Sequence, residues 1–168
     1  ALLYLPFFLN AHVLALLFGA EADGYSIIYQ YLFDFGYWVY VLIGAIFYLK
    51  VFRLLNFKDN YIYLSLFLLL VGTNMLFYTM IDQSVTHIFN FTLINAFIYC
   101  LLKYKSVLKF KYIYYAMALL VLIGITRPTN VIVFLLVPIF IFEKAFYVNL
   151  FKEFYNFKSS LTLLLIAV

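Results

Sequence analysis

The chain has 168 residues, of which 68% are hydrophobic and 11% charged, with a formal net charge of +4 and a mean hydropathy of +1.08. A water-soluble domain is usually about half apolar and a quarter charged. Composition therefore excludes an ordinary soluble enzyme and predicts an all-α fold, a polytopic helical membrane protein, with no nucleic acid as partner. The lone cysteine, Cys100, excludes an internal disulfide and any cysteine-built metal site.

The first segment, 1–19, suits two placements equally. It is about long enough to span a bilayer, yet Pro6 and the polar Asn10 and His12 also suit a helix lying in the outer interface. The "EADGYS" at 21–26 reads as a solvated turn, with Glu21 and Asp23 ahead of Gly24. Residues 27–49 form the first clear span. Within it Asp34 stands between Phe33 and Phe35. An intramembrane acid is a functional candidate by default, although the surrounding "YQYLFDFGYW" suits an interfacial aromatic belt that keeps it near water.

Residues 61–81 form a second span and 88–102 a third, shorter one, joined by "DQSVTH" at 82–87. As one helix, residues 112–142 would be about 46 Å long, too long for a simple crossing of a hydrocarbon core of about 30 Å. The "RPTN" at 127–130 breaks this run. Pro128 disfavours helical backbone at Arg127 and donates no hydrogen bond, and Thr129 or Asn130 can cap a new start. The spacing predicts two short helices, 112–126 and 130–142, joined as a hairpin. Residues 144–158 alternate apolar groups with Lys and Glu at helical spacing and predict a helix in the cytoplasmic interface. Residues 159–168 begin a further span. The start at Ala1 inside an apolar stretch and the end in "SLTLLLIAV" read as a piece of a longer protein.

Charge orders these segments. Lys50, Arg53 and Lys58 form one basic group. Lys103, Lys105, Lys109 and Lys111 form a second, and Lys144, Lys152 and Lys158 a third. The positive-inside rule makes all three cytoplasmic, and leaves the 21–26 and 82–87 loops and the hairpin tip on the outer side. The eleventh basic residue, Arg127, is then at that tip. Topology gathers Arg127, Asn130, His87 and Asp82 at one outer mouth. A guanidinium presents a planar fork to phosphate oxygens, an imidazole transfers protons near neutral pH, and a carboxylate can hold a divalent cation. Each has a plainer role as well. Arg127 can snorkel to bulk headgroups or pair with Asp82, His87 can cap its helix, and Asp82 can be an ordinary loop acid. The triplet "NFT" at 90–92 matches a glycosylation acceptor, but inside a predicted span it is not expected to be modified.

The stretches "GTNMLFYTMIDQSVTHIFNFTLINAFIYCL" at 72–101 and "LIGITRPTNVIV" at 122–133, with "ALLYLPFFLNAHVLALLFG" and "ADGYS" before them, resemble bacterial polytopic glycosyltransferases of the GT-C class. The group is that similar to dolichyl-phosphate-mannose–protein mannosyltransferases (family 39), and the resemblance covers most of residues 1–142. It implies an inverting transfer of a sugar from a polyprenyl-phosphate donor to a glycan, lipid or protein acceptor. The reaction would occur on the periplasmic face of the bacterial inner (cytoplasmic) membrane. The catalytic base it implies is an acidic residue upstream of Ala1. It further implies donor-phosphate binding by Arg127, His87 and Asn130, makes residues 1–19 an interfacial helix, and leaves a divalent metal near Asp82 open. Two other readings stay open, a secondary transporter built on a broken helix and a non-catalytic membrane assembly protein.

Overall fold

The structure, a computed structural model, describes residues 2–81, 86–140, 142, 144–152 and 155. The described elements are all helices, with no strand among the described residues. A short 3₁₀ turn, Leu2–Tyr4, leads into α1, Leu5–Leu17; α2 is Ile27–Leu54, α3 Asp59–Gly72, α4 Met75–Met80, α5 His87–Val107 and α6 Lys111–Thr126. A 3₁₀ helix, Pro128–Leu135, then runs into α7, Leu136–Phe140. Residues 144–152 are helical as well.

α5 is the centre of the bundle. It packs against α2 on one side and α6 on the other, and carries buried residues from Ile88 to Tyr104. Side-chain pairs give the helix directions. Tyr37 meets Phe89 at 5.4 Å between ring centroids, Thr92 Oγ1 donates to the Tyr40 carbonyl at 2.6 Å, and Phe47 meets Tyr99 at 5.5 Å, so α2 and α5 run parallel. α3 returns antiparallel to α2: Tyr48 Oη donates to Ser65 Oγ at 3.0 Å, and Arg53 Nε donates to Asp59 Oδ1 at 3.0 Å across the turn. α6 is antiparallel to α5, with Thr126 bonded to Asn90 at one end and Tyr104 against Phe110 at the other.

α1 lies alongside the first half of α2, antiparallel to it. Tyr4 meets Tyr37, Phe8 meets Phe33, and His12 Nδ1 is hydrogen bonded to Tyr29 Oη at 2.6 Å. This bond gives His12 a structural role. α1 stops at Gly19, whose φ of +67° is the left-handed geometry of a helix end, and the Ala20 N–H closes back on the Ala15 carbonyl at 2.9 Å.

The α1–α2 turn is pinned by Asp23, whose Oδ1 accepts from the Tyr25 and Ser26 N–H groups at 2.8 and 2.9 Å. These two donors hold its carboxyl below the ordinary value of 3.8. A depressed carboxyl stabilises the fold above its unfolded value, and that contribution is lost as pH falls through the folded one. The expected result is that Asp23→Ala lowers the thermal midpoint of the detergent-solubilised protein at neutral pH. The gap to wild type should close on acidification below 3.8. A gap constant across that range would assign the loss to something other than this carboxylate.

The predicted span 61–81 is two helices. The chain breaks at Thr73, which is extended at φ −120°, ψ 177°. Its Oγ1 donates to the Leu69 carbonyl at 2.6 Å and accepts from the Met75 N–H at 3.3 Å, a local bonding pattern that competes with helix continuation. The predicted 88–102 extends to Val107, ending with Leu108 at φ +54°. Lys103 and Lys105 are accommodated because long basic side chains carry their charge away from an apolar helix. α2 likewise continues past 49 to Leu54.

After α6, Arg127 is extended at φ −156°, ψ 106°, its N–H bonded to the Ile123 carbonyl and its carbonyl accepting from the Asn130 N–H, both at 2.9 Å. The chain then folds back on α6. A Cβ on Gly124 would come within 3.2 Å of Val131, and Met117 and Leu120 line an apolar cavity with Phe134 and Val137. The second arm differs from the α-helix expected over 130–142: it begins at Pro128 and is 3₁₀ as far as Leu135. The expected helix at 144–158 is described over 144–152 and at 155; the rest of it, and the span expected at 159–168, lie outside the described residues.

These directions sort the charges. The turns bearing Lys50, Arg53 and Lys58, then Lys103, Lys105, Lys109 and Lys111, lie at one end of the bundle. The chain after α7 returns to that end, where Phe146 meets Tyr104 at 5.1 Å. Arg127 lies at the other. One helix, Ile27–Leu54, is long and apolar enough to cross a membrane; Leu5–Leu17, Asp59–Gly72, Lys111–Thr126 and Pro128–Ile139 are apolar but shorter. Large apolar side chains are exposed along all of them, among them Leu17, Leu42, Phe67, Val121 and Ile132.

Candidate ligand-binding cleft

At the Arg127 end, the break between α3 and α4, the start of α5 and the beginning of the 3₁₀ arm border an open cleft of about 570 Å³. Its polar lining comes from Thr73, Asn74, Tyr78, His87, Asn90 and Asn130. Each is delivered by a local irregularity. Asn74 follows the extended Thr73, His87 begins α5, and Asn130 is in the first turn after Pro128. His87 stacks on Tyr78, with centroids 4.6 Å apart and planes 23° apart, which holds its ring against the α4 side.

Asn90 anchors the cleft floor and is 4% exposed. Its Nδ2 donates to the Thr86 carbonyl at 2.9 Å, and its Oδ1 accepts from Thr126 Oγ1 at 3.0 Å. A buried amide left unpaired would cost about 1–3 kcal/mol, so this pair fixes the end of α6 to the start of α5. Arg127 is the next residue after Thr126, and its position is therefore set by Asn90.

The structure brings His87 and Asn130 to one cleft. Arg127 does not line it; its side chain is exposed and makes no hydrogen bond or ion pair among the described residues. Asp82 lies outside the described residues. Among the described residues no three His, Cys, Asp or Glu side chains converge to hold a metal ion. Asn90, Asn74 and Thr73 were not anticipated as cleft residues. The available signal was their polarity within apolar stretches, which for Asn90 read only as part of a glycosylation triplet.

In chemical terms the cleft offers amides, two hydroxyls and one imidazole, with no acidic side chain among its described lining residues, and Arg127 stands three residues before Asn130 in the chain. Such a set favours a neutral or anionic polar ligand. The class defined by fold and cleft is an all-helical protein with a polar cleft at one end of its bundle. No family model, no curated protein and no solved structure matches the chain.

Proposed function

We propose that this chain is part of a multi-pass bacterial inner-membrane glycosyltransferase that takes a sugar from a polyprenyl-phosphate donor on the periplasmic side. The observation that carries the reading is the end-to-end asymmetry of the bundle. Lysines gather at one end, and a cleft of amides and imidazole beside Arg127 lies at the other. The positive-inside rule turns the first end to the cytoplasm. Apolar side chains exposed along every long helix support a bilayer around the bundle, since a water-soluble monomer rarely exposes contiguous apolar patches beyond a few hundred Å².

Binding and transfer have different supports. The cleft supports binding of a sugar phosphate: amide groups suit sugar hydroxyls, and Arg127 is unpaired among the described residues and can turn to the phosphate. The transfer step rests on the resemblance to the GT-C class. In it a carboxylate base takes the proton of the acceptor hydroxyl, the acceptor oxygen bonds to the anomeric carbon, and the carbon–oxygen bond to the phosphate breaks with inversion. The polyprenyl phosphate leaves as an anion, which Arg127 stabilises. The resemblance implies an acidic residue as that base.

The test reconstitutes the complete protein, of which this chain is proposed to be part, in vesicles with radiolabelled polyprenyl-phosphate hexoses and follows label into acceptor. A parallel arm measures binding of polyprenyl phosphate against polyprenol. Transfer supports the full reading. Phosphate-selective binding without transfer of any hexose would retain the cleft and remove the transferase. Equal binding of phosphate and alcohol would remove both.

A further inference from the structure

A second cavity, separate from the cleft, opens beside the first half of α2. It measures about 570 Å³ and is lined by Tyr4, Gln30, Phe33, Asp34 and Tyr37. Four of these residues fall at positions 30, 33, 34 and 37 of one helix, a spacing that places them on a single face. Tyr4 comes from the segment leading into α1 and closes the other side.

The walls are aromatic and braced. Tyr4 meets Phe33 edge-on at 5.5 Å, Tyr37 at 5.5 Å and Phe89 at 4.7 Å, so its ring is held from three sides. Tyr37 is 2% exposed, and its hydroxyl has no hydrogen-bond partner among the described residues. Asp34 is the one charged group among the described lining residues, beside phenolic hydroxyls and an amide that can donate or accept. The Asp34 carboxylate is half-buried, with no hydrogen bond or ion pair among the described residues. Gln30 spends an amide hydrogen on the Tyr25 carbonyl at 3.2 Å, leaving its carbonyl oxygen free to accept. Among the described residues no basic side chain lines the cavity.

Each feature narrows the ligand. A volume within the roughly 300–1,000 Å³ of small-molecule sites is too large for a bare ion, and one carboxylate with one amide oxygen falls short of the six to eight oxygens that calcium takes. A single negative charge with no basic side chain beside it among the described lining residues repels anions. Aromatic faces carry a negative quadrupole that attracts organic cations. A carboxylate, an amide oxygen and aromatic walls together match a positively charged nitrogen attached to an apolar body.

We propose that the cavity formed by Tyr4, Gln30, Phe33, Asp34 and Tyr37 binds an alkylammonium group, with Asp34 as its counter-ion. The proposal goes beyond sugar transfer and stands whether or not that reading holds. The same chemistry is presented by a soluble amine and by the headgroup of phosphatidylethanolamine.

The test is calorimetric titration of the detergent-solubilised protein with phenethylamine, cationic at neutral pH, against 2-phenylethanol and phenylacetate. The amine is expected to bind and the neutral and anionic analogues to bind at least tenfold more weakly. Asp34→Asn should weaken amine binding at least tenfold with an unchanged thermal midpoint, and Asp34→Glu should retain it. Equal binding of 2-phenylethanol and the amine to wild type overturns the proposal without recourse to a variant. So does undiminished amine binding by Asp34→Asn, or a failure of the amine to bind. Repeating the titration in nanodiscs separates the sources. Competition by phosphatidylethanolamine but not phosphatidylglycerol identifies a lipid headgroup, and equal affinity in both identifies a soluble amine.

Discussion

In the complete protein, Arg127→Ala is expected to reduce sugar transfer by about 100-fold or more, the loss typical when a donor aimed at developing negative charge is removed, while leaving thermal stability within about 0.5 kcal/mol of wild type. The two halves of this expectation have separate causes. The guanidinium is exposed and holds no described residue, so its removal breaks no contact seen in the fold. The turn around it is maintained by other groups: the Arg127 backbone N–H and carbonyl, Pro128, and the Thr126–Asn90 bond. Arg127→Lys keeps the charge and loses the planar fork, so it should restore activity only in part. The measurement is initial transfer rate from a polyprenyl-phosphate sugar, beside the thermal midpoint of the same preparation. A well-folded alanine variant with a normal rate would remove Arg127 from the donor site and leave it as a headgroup anchor.

The second large effect is on stability. Gly44 lies at a close approach of α2 and α5. A Cβ there would stand 2.6 Å from the Phe91 ring and 2.8 Å from Thr92 Oγ1. Thr92 cannot yield freely, because its hydroxyl is bonded to the Tyr40 carbonyl at 2.6 Å across the same interface. Gly44→Ala therefore has to part the two helices or break that bond, and overpacking of this kind costs about 1–3 kcal/mol. Gly72→Ala is the control. Nothing lies within 4 Å of its Cβ position, so it should be neutral or slightly stabilising, as an alanine in a helix usually is. A fall in the thermal midpoint for Gly44→Ala and none for Gly72→Ala is the expected pair of results. Equal midpoints for both would mean that α2 and α5 are not closely packed at this level. Because α5 also carries His87 and Asn90, displacement of its start by Gly44→Ala should weaken binding of polyprenyl phosphate in proportion.

Much of the architecture was legible in the chain. The helix starts and stops near 27, 87, 111 and 126 follow from local composition, and the break at Arg127 follows from a proline that forbids helical backbone before it. The break at Thr73 was not legible. It depends on which carbonyl a threonine hydroxyl bonds, and "VGTNM" offers helix and turn alike. The length of α5 was misjudged because lysines 103 and 105 look like the end of a span, whereas their stems can extend along a helix that continues beneath them. The candidate site was legible in part: His87 and Asn130 were identifiable as unusual polar groups, but not the amides and hydroxyls that surround them.

The sequence by itself determined that the chain is apolar and helical, where its main hairpin turns, and that basic residues recur at alternate connections. Those are properties of neighbouring residues and of composition, set by backbone sterics and side-chain hydration. Only the tertiary structure decided that Asn90 holds Thr126 across 36 residues, that Gly44 lets α5 reach α2, and that Tyr4 closes a cavity over Asp34. Each of these is a contact between segments far apart in the chain. Packing selects it after the helices exist, and no local pattern records which partner it will be.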